Sequence, residues 1–163
     1  MFDSSTLLVH TLLPSQIEMA AQQLIQESMD DLWGDVSPAI YDTARVLLLE
    51  RSLQPSGSLE FILHHQKQDG SWGTPHAYYL VPSLAATASL LDLTLKAARG
   101  EEIAGDASDV SLAAWRGLDF LAHALRDTTE LPDLVAIELI VPALVEEIEN
   151  TLTALADVAR AAF

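Results

Sequence analysis

Acidic side chains are the most numerous groups in this sequence that could do chemistry. The chain has 24 Asp and Glu against 8 Lys and Arg, which gives a formal net charge of −16. Two acidic clusters stand out, "MDDLWGD" at 29–35 and "GDASDV" at 105–110. Carboxylates this close together can bind a divalent cation or hold a proton for general acid catalysis. Asp30, Asp31 and Asp35 also have the spacing of acidic residues at a helix end, and we favour that interpretation.

Histidine and cysteine add no further site. His64 and His65 are adjacent on a predicted helix and point apart, which is poor geometry for a shared metal. His10 and His123 are isolated and are predicted to be ordinary surface or core residues. The chain has no cysteine, which excludes disulfides and thiolate metal sites and fits a reducing, cytoplasmic location. We therefore predict neither a catalytic residue nor a metal site in this chain.

The charge balance also limits the partners. A net charge of −16 argues against binding to nucleic acid. An anionic substrate would need a divalent cation, local arginines or positive charges from a partner. No apolar run approaches the roughly 20 residues of a membrane-spanning helix, so no membrane span is predicted.

Helical periodicity dominates the sequence and predicts an all-α fold of six or seven helices. Ser37 and Pro38 form a helix start signal, with serine as N-cap and proline at the first helical position. Pro142 interrupts the last apolar segment and is expected to kink or break its helix near Leu139. The predicted helical segments are 14–33, 37–53, 56–68, 82–98, 109–127 and 133–163.

The stretch "HHQKQDGSWGTP" at 64–75 combines a turn with an amide and a large aromatic ring. Gln66, Asp69, Gly70, Ser71 and Trp72 spell Q-x-x-D-G-S-W directly after a predicted helix. Because a helix end leaves carbonyls without partners, an amide can satisfy them while a flat apolar ring covers them. We predict that Trp72 is largely buried and that Gln66 binds backbone near a helix end. This pattern resembles the QW motif of terpene cyclases; the alternative is an ordinary Asp-Gly turn beside a core tryptophan.

Two further segments extend the resemblance. "SPAIYDTARV" at 37–46, with Tyr41 and Asp42, is similar to the S-P-S-A-Y-D-T-A-W-V signature of class II diterpene cyclases. "VAIELIVPALVEE" at 135–147, with Glu138 and Pro142, is similar to their G-F-E-[LIV]-[VI]-x-P-[ST]-L-[LIV]-E segment. The segments come in the family's order and at roughly its spacing.

The resemblance implies an α/α-barrel-like fold built from a β and a γ domain, with γ inserted after the first β helix. On that layout the chain is an incomplete βγ arrangement. Residues 1–35 would belong with a β-type domain, and residues 36–163 would form a γ-like helical domain.

The resemblance also implies a reaction, the proton-initiated cyclisation of an isoprenoid diphosphate such as geranylgeranyl diphosphate. In that family the acid is the middle Asp of a D-x-D-D motif in the β domain, and this sequence contains no D-x-D-D. The chain is therefore expected to be a subunit or an N-terminal fragment that is inert alone. A β-domain partner chain or a missing C-terminal half would supply the acid.

Two other functions remain open from the sequence. The chain could be a non-catalytic α-helical module, derived from the cyclase fold, that binds a prenyl chain or scaffolds another enzyme. A small class I synthase using Asp30, Asp31 and Asp35 is disfavoured, because such sites need a second metal motif and none is found.

Several positions depart from the family pattern. Arg45 stands where the signature has Trp, and Ala77, Tyr78 and Tyr79 stand where many relatives have acidic residues that help to hold magnesium at the diphosphate. Magnesium is therefore expected in the assembled enzyme and not on this chain. The candidate pocket-lining residues are His76, Tyr78, Tyr79 and Arg45, and the alternative for the first three is a partly buried helix N-terminus.

Two expectations concern buried and exposed surfaces. Glu138 lies in an apolar run and is predicted to be a buried carboxylate bonded to the region of Tyr41 and Asp42. The apolar segments 82–91 and 134–145 are predicted to form an exposed face toward the β domain, so that the isolated chain self-associates or needs its other half.

Overall fold

A computed structural model of the chain describes residues 18–19, 21–23, 38–49, 55, 57–74, 78–127 and 136–161. The chain divides into two compact units, Met1–Ser37 and Pro38–Phe163. In the first unit the described residues, 18–19 and 21–23, are helical. The assignment of the two units to β-type and γ-like domains remains a prediction.

The second unit is all-α, as predicted, and no strand occurs in its described residues. Helix α3 packs against α1, α4 and α5, while α1 also packs against α2. Helices α4 and α5 thus pack chiefly on α3 rather than on each other. The five helices described in this unit are α1 (Ile40–Val46), α2 (Ser58–His64), α3 (Leu80–Ala98), α4 (Ala107–Asp127) and α5 (Ile137–Ala161).

Helix α3 is the centre of the core. Every residue from 83 to 91 is buried, which leaves this stretch no face toward solvent. Its small side chains let the neighbouring helices approach closely, and Ser89 Oγ donates a 2.7 Å hydrogen bond to the carbonyl of Ala44 in α1. A helix that is apolar on all sides is stable only when it is surrounded.

By length and composition alone, α3 meets the criteria for a helix that crosses a membrane. However, 67% of its most apolar window is buried inside the protein. Core helices of globular domains meet the same criteria, and the packing of α3 identifies it as one of them.

Helix α1 is shorter than the sequence predicts. It begins at Ile40, with Ala39 as N-cap and no side-chain cap, rather than at Pro38. It ends at Val46, and the amides of Leu47 and Leu48 bond three residues back, which tightens the chain into turns. The expected N-cap, Ser37, and the predicted last turn from residue 50 lie outside the described residues.

Pro142 does not break the last helix, so the expected break near Leu139 is wrong, while the alternative, a kink there, stays a prediction. Helix α5 begins at Ile137 and runs without interruption through Pro142 to Ala161. The proline lies in the second turn, where its missing N–H deprives only the carbonyl of Glu138 of an intrahelical partner. Because Glu138 is exposed, water can take that place.

The predicted apolar face toward a partner is also largely wrong. The segment 82–91 is almost wholly buried within this unit, because α3 is its central helix. In the segment 134–145, Ile137, Val141 and Leu144 are buried in the same core. Leu139, 69% exposed, is the large apolar side chain of the described part of this segment that faces solvent.

The start of α5 requires a left-handed residue. Ala136 has a φ of 60°, and its carbonyl accepts hydrogen bonds from the amides of Leu139 and Ile140. A side chain in this conformation costs about 1–2 kcal/mol, whereas glycine adopts it freely. The cyclase segment that 135–147 resembles has glycine at this position.

We expect Ala136→Gly to stabilise the protein by about 0.5–1 kcal/mol. Relief of the left-handed strain exceeds the entropy of about 0.4–1 kcal/mol that glycine adds to the unfolded chain. Urea unfolding followed by circular dichroism measures the change. The control is Ala143→Gly on the exposed side of α5, which should lose about 1 kcal/mol. Equal losses in both variants would contradict the assignment of strain to Ala136.

Candidate functional site

Trp72 joins three helices of the second unit. Its side chain is fully buried, and its indole Nε1 donates a 2.7 Å hydrogen bond to the carbonyl of Ile62 in α2. This carbonyl lies in the last turn of α2, where intrahelical donors run out. The Trp72 amide donates to Ser83 Oγ of α3 at 2.9 Å, and that hydroxyl donates back to the Trp72 carbonyl at 3.2 Å. The polar groups of the residue are thus satisfied while its ring fills the core.

Gln66 ties the same loop to α4. Its Nε2 donates to the carbonyl of Gly70 at 3.1 Å and to the carbonyl of Ala113 at 2.9 Å. The first bond closes the turn, and the second crosses to the middle of α4. The predictions that Trp72 is buried and that Gln66 binds backbone are both confirmed.

Helix α4 offers this loop a close-fitting surface. A Cβ on Gly70, whose φ is 89°, would collide with the carbonyl of Arg116, so only glycine fits there. A Cβ on Gly117 would lie 2.8 Å from Cζ3 of Trp72 and would collide with Thr87 Oγ1. The Arg116 guanidinium donates to the carbonyl of Lys67 at 2.7 Å. The loop therefore packs against one short stretch of α4, from Ala113 to Gly117.

Asp69 and Ser71 hold the turn itself. The amide of Ser71, at 2.9 Å, and its hydroxyl, at 2.7 Å, both donate to Oδ1 of Asp69. These two bonds lower the pKa of the Asp69 carboxyl, because they favour its charged form. Both bonds stabilise the folded protein at pH values above the ordinary carboxyl pKa. This stabilisation is lost as the pH falls through the lowered pKa of Asp69. The role of this pair is to shape the loop.

Sequence reasoning missed the α4 half of this junction. Ala113, Arg116 and Gly117 lie about 45 residues away in the chain and look like ordinary helix positions. The one available signal was Gly117, since a glycine inside a strongly helical pattern often marks a close approach. Ser83 was likewise predicted only as part of the helical segment 82–98.

Arg45, which stands where the resembling signature has tryptophan, makes a different contact. Its guanidinium donates two hydrogen bonds to the carboxylate of Glu147, at 2.6 and 3.0 Å. The hydrogen bond to Glu147 raises the pKa of Arg45. This pair joins α1 to α5 and therefore links the two cyclase-like segments directly. The side chains are 33% and 41% exposed, so the pair adds at most about 1 kcal/mol.

The other residues singled out in the sequence are not brought together. Tyr41 is half-buried, whereas Asp42 and Glu138 are exposed, so the prediction of a buried Glu138 carboxylate is wrong. Its side chain lies on the solvent side of the first turn of α5, where the buried positions are Ile137 and Val141.

Tyr78 and Tyr79 differ in their exposure to solvent. Tyr78 is 58% exposed, while Tyr79 is half-buried and meets Phe120 of α4 edge-on, with 5.5 Å between ring centroids. His76 lies outside the described residues. A role in lining a substrate pocket remains a prediction for these residues and for Arg45.

Among the described residues, one groove of about 370 Å³ lies beside Lys96 and Glu147, and another lies away from the Trp72 junction. It measures about 700 Å³ and runs along α2 and past the start of α4, with Glu60, His64, Asp106 and Asp109 on its walls. No group of three or more His, Asp or Glu in the described part of the chain is arranged to hold a metal ion. Asp30, Asp31 and Asp35 lie outside that part. The larger groove is therefore an acidic surface feature to which we assign no chemistry.

Comparison with known proteins places this arrangement in context. No family model matches the chain. The chain is 37% identical over 142 residues to the ent-copalyl diphosphate synthase of Streptomyces sp. (strain KO-3988), covering 86% of this chain and 26% of that protein. It is 39% identical over 137 residues to the copalyl diphosphate synthase of Streptomyces cyslabdanicus, covering 81% and 24%.

A solved structure shows the same relationship. The ent-copalyl diphosphate synthase from Streptomyces platensis matches with a TM-score of 0.65 at 35% identity, over 84% of this chain and 26% of that one. The chain thus spans about a quarter of the length of the relatives it matches.

We expect Trp72→Ala to cost about 3–5 kcal/mol in unfolding free energy, because it removes a buried ring and leaves a cavity. Trp72→Phe should cost less, about 1–3 kcal/mol, since it mainly leaves the Ile62 carbonyl unpaired. Urea unfolding followed by circular dichroism measures both. Trp115→Ala is the control: that ring is 47% exposed, and its loss should cost only about 1 kcal/mol. A Trp72→Ala cost no larger than that of Trp115→Ala would contradict the junction described above.

Proposed function

This chain is a homologue of a segment of the class II diterpene cyclases, and we propose that it acts as one helical part of such a cyclase. The assembled enzyme would carry out the proton-initiated cyclisation of a linear isoprenoid diphosphate such as geranylgeranyl diphosphate. The observation that carries the proposal is the identity of 35–39% with copalyl diphosphate synthases over more than 80% of the chain.

The proposed reaction needs a strong acid that this chain does not supply. Protonating an alkene requires a carboxyl group that is kept protonated by its surroundings, with a raised pKa. The sequence has no D-x-D-D motif. The pKa of Asp69 moves the other way, because its hydrogen bonds stabilise the carboxylate. The acid is therefore assigned to a β-type domain, on a partner chain or on a continuation of this one.

The contribution of this chain would be a rigid wall. The Trp72 junction and the Arg45–Glu147 pair fix α1, α2, α4 and α5 around α3. A rigid wall matters because a carbocation must be held away from water until cyclisation is complete. Tyr78, which is 58% exposed, is the aromatic residue best placed by its exposure to face that space, since aromatic rings stabilise cations.

Magnesium, by this proposal, would be held with the diphosphate by the acid-bearing part. The described residues do not fit such a site, because no three His, Asp or Glu come together in them. No step of the reaction is assigned to a metal on this chain.

The test is complementation. The chain, the D-x-D-D-bearing polypeptide of the same organism and the two together are each incubated with geranylgeranyl diphosphate and magnesium. Products are dephosphorylated and identified by gas chromatography and mass spectrometry. We expect a bicyclic diphosphate only from the pair, and none when the middle Asp of D-x-D-D is changed to Asn.

Two outcomes would contradict the proposal. Cyclisation by this chain alone would mean that it carries its own acid. Full activity of the D-x-D-D-bearing polypeptide without this chain would favour the alternative, a non-catalytic module that binds a prenyl chain or scaffolds another enzyme.

A further inference from the structure

Helix α4 has a second apolar side that faces solvent. Its core side holds the buried Val110, Ala113, Ala114 and Leu121. On the outside, Leu112, Trp115 and Leu125 are 61%, 47% and 41% exposed. Leu118 is half-buried and Ala122 exposed between them. We call these five residues the outer stripe: Leu112, Trp115, Leu118, Ala122 and Leu125.

The spacing of the outer stripe is that of a helix-packing surface. The residues from Trp115 to Leu125 follow one another at intervals of three, four and three, the pattern by which one helix packs along another. Scattered exposed leucines need no explanation, but an aromatic ring and leucines in helical register along one face do. The described helices leave this face uncovered, because α4 packs chiefly on α3.

Charge argues against a second copy of this chain as the occupant. Each copy carries a net charge of −16, so two copies repel one another, most strongly at low ionic strength. Helix α4 itself is nearly neutral, with a net charge of −1, since Arg116 and Arg126 offset two of its three aspartates. The outer stripe thus lies on a nearly neutral surface. Such a surface suits a partner helix that is apolar and belongs to a protein less acidic than this chain.

We propose that the outer stripe of α4 is where a helix of the acid-bearing part of the cyclase packs. This inference rests on the proposed function. The chain spans about 26% of the related synthases, so most of the helices of their fold lie outside the matched region. In a fold made of helices only, an apolar helix face is covered by another helix.

The test compares variants of two exposed surfaces in the same complex. The D-x-D-D-bearing polypeptide is immobilised, and binding of wild-type chain, Trp115→Ser/Leu125→Ser and Leu139→Ser is measured by surface plasmon resonance. Leu139 is the control, because at 69% exposure it is even more exposed than Trp115 and Leu125 but lies on α5 outside the outer stripe. Circular dichroism establishes that both variants fold like the wild type. We expect about a tenfold or greater rise in Kd for the double variant and less than about threefold for Leu139→Ser.

The outcomes separate this inference from the proposed function. If the wild-type chain neither binds nor complements the D-x-D-D-bearing polypeptide, both the proposed function and the inference about the outer stripe are wrong. A wild-type complex that cyclises substrate, with the double variant binding equally well, would overturn the outer stripe alone. Sedimentation of the chain by itself gives the remaining outcome. Loss of self-association in Trp115→Ser/Leu125→Ser, with binding to the acid-bearing polypeptide intact, would assign the outer stripe to a second copy and overturn the proposal.

Discussion

The bond from the Trp72 indole to the Ile62 carbonyl is the interaction on which the rest of the described unit depends. It satisfies a carbonyl at the end of α2 with a donor that also brings the largest apolar side chain of the core to that point. A smaller polar group could make the bond but would not fill the space, and an aliphatic side chain could fill the space but not make the bond. Gly70 and Gly117 are required as glycines, because the loop, the Trp72 ring and helix α4 approach most closely at these two positions.

The sequence was most informative where local chemistry decides the structure. The Gln66–Trp72 turn could be predicted because glycine, an amide and a helix end have strong local preferences, and the all-α fold because periodicity persists along the chain. The partners of that turn on α4 could not, since the backbone carbonyl of Ala113 and the side chain of Arg116 look ordinary in sequence and their roles arise only from tertiary packing. Glu138 was misplaced for a related reason: an apolar neighbourhood in sequence does not say which side of a helix faces the core.

The segment 82–91, which the sequence predicted to meet a partner, shows how apolar composition can mislead. The segment 82–91 is uniformly apolar because it is surrounded, whereas α4 looks amphipathic and ordinary. The exposed residues of the outer stripe are diluted by charged neighbours such as Arg116, Asp119 and Arg126, so only the structure separates them from the core side. The contact of Arg45 could not be read from the sequence either, since its bidentate ion pair with Glu147 joins residues that are far apart in the chain.

Hydrogen exchange of the Trp72 indole N–H, followed by NMR, tests the central role of this junction most directly. If α2, α3 and α4 are held together through Trp72, this proton exchanges only when the whole unit unfolds. Its exchange free energy should then equal the unfolding free energy measured in urea, while the exposed Trp115 indole exchanges at close to the unprotected rate. A Trp72 indole that exchanges at a rate near that of Trp115, in a protein that remains folded, would contradict the account.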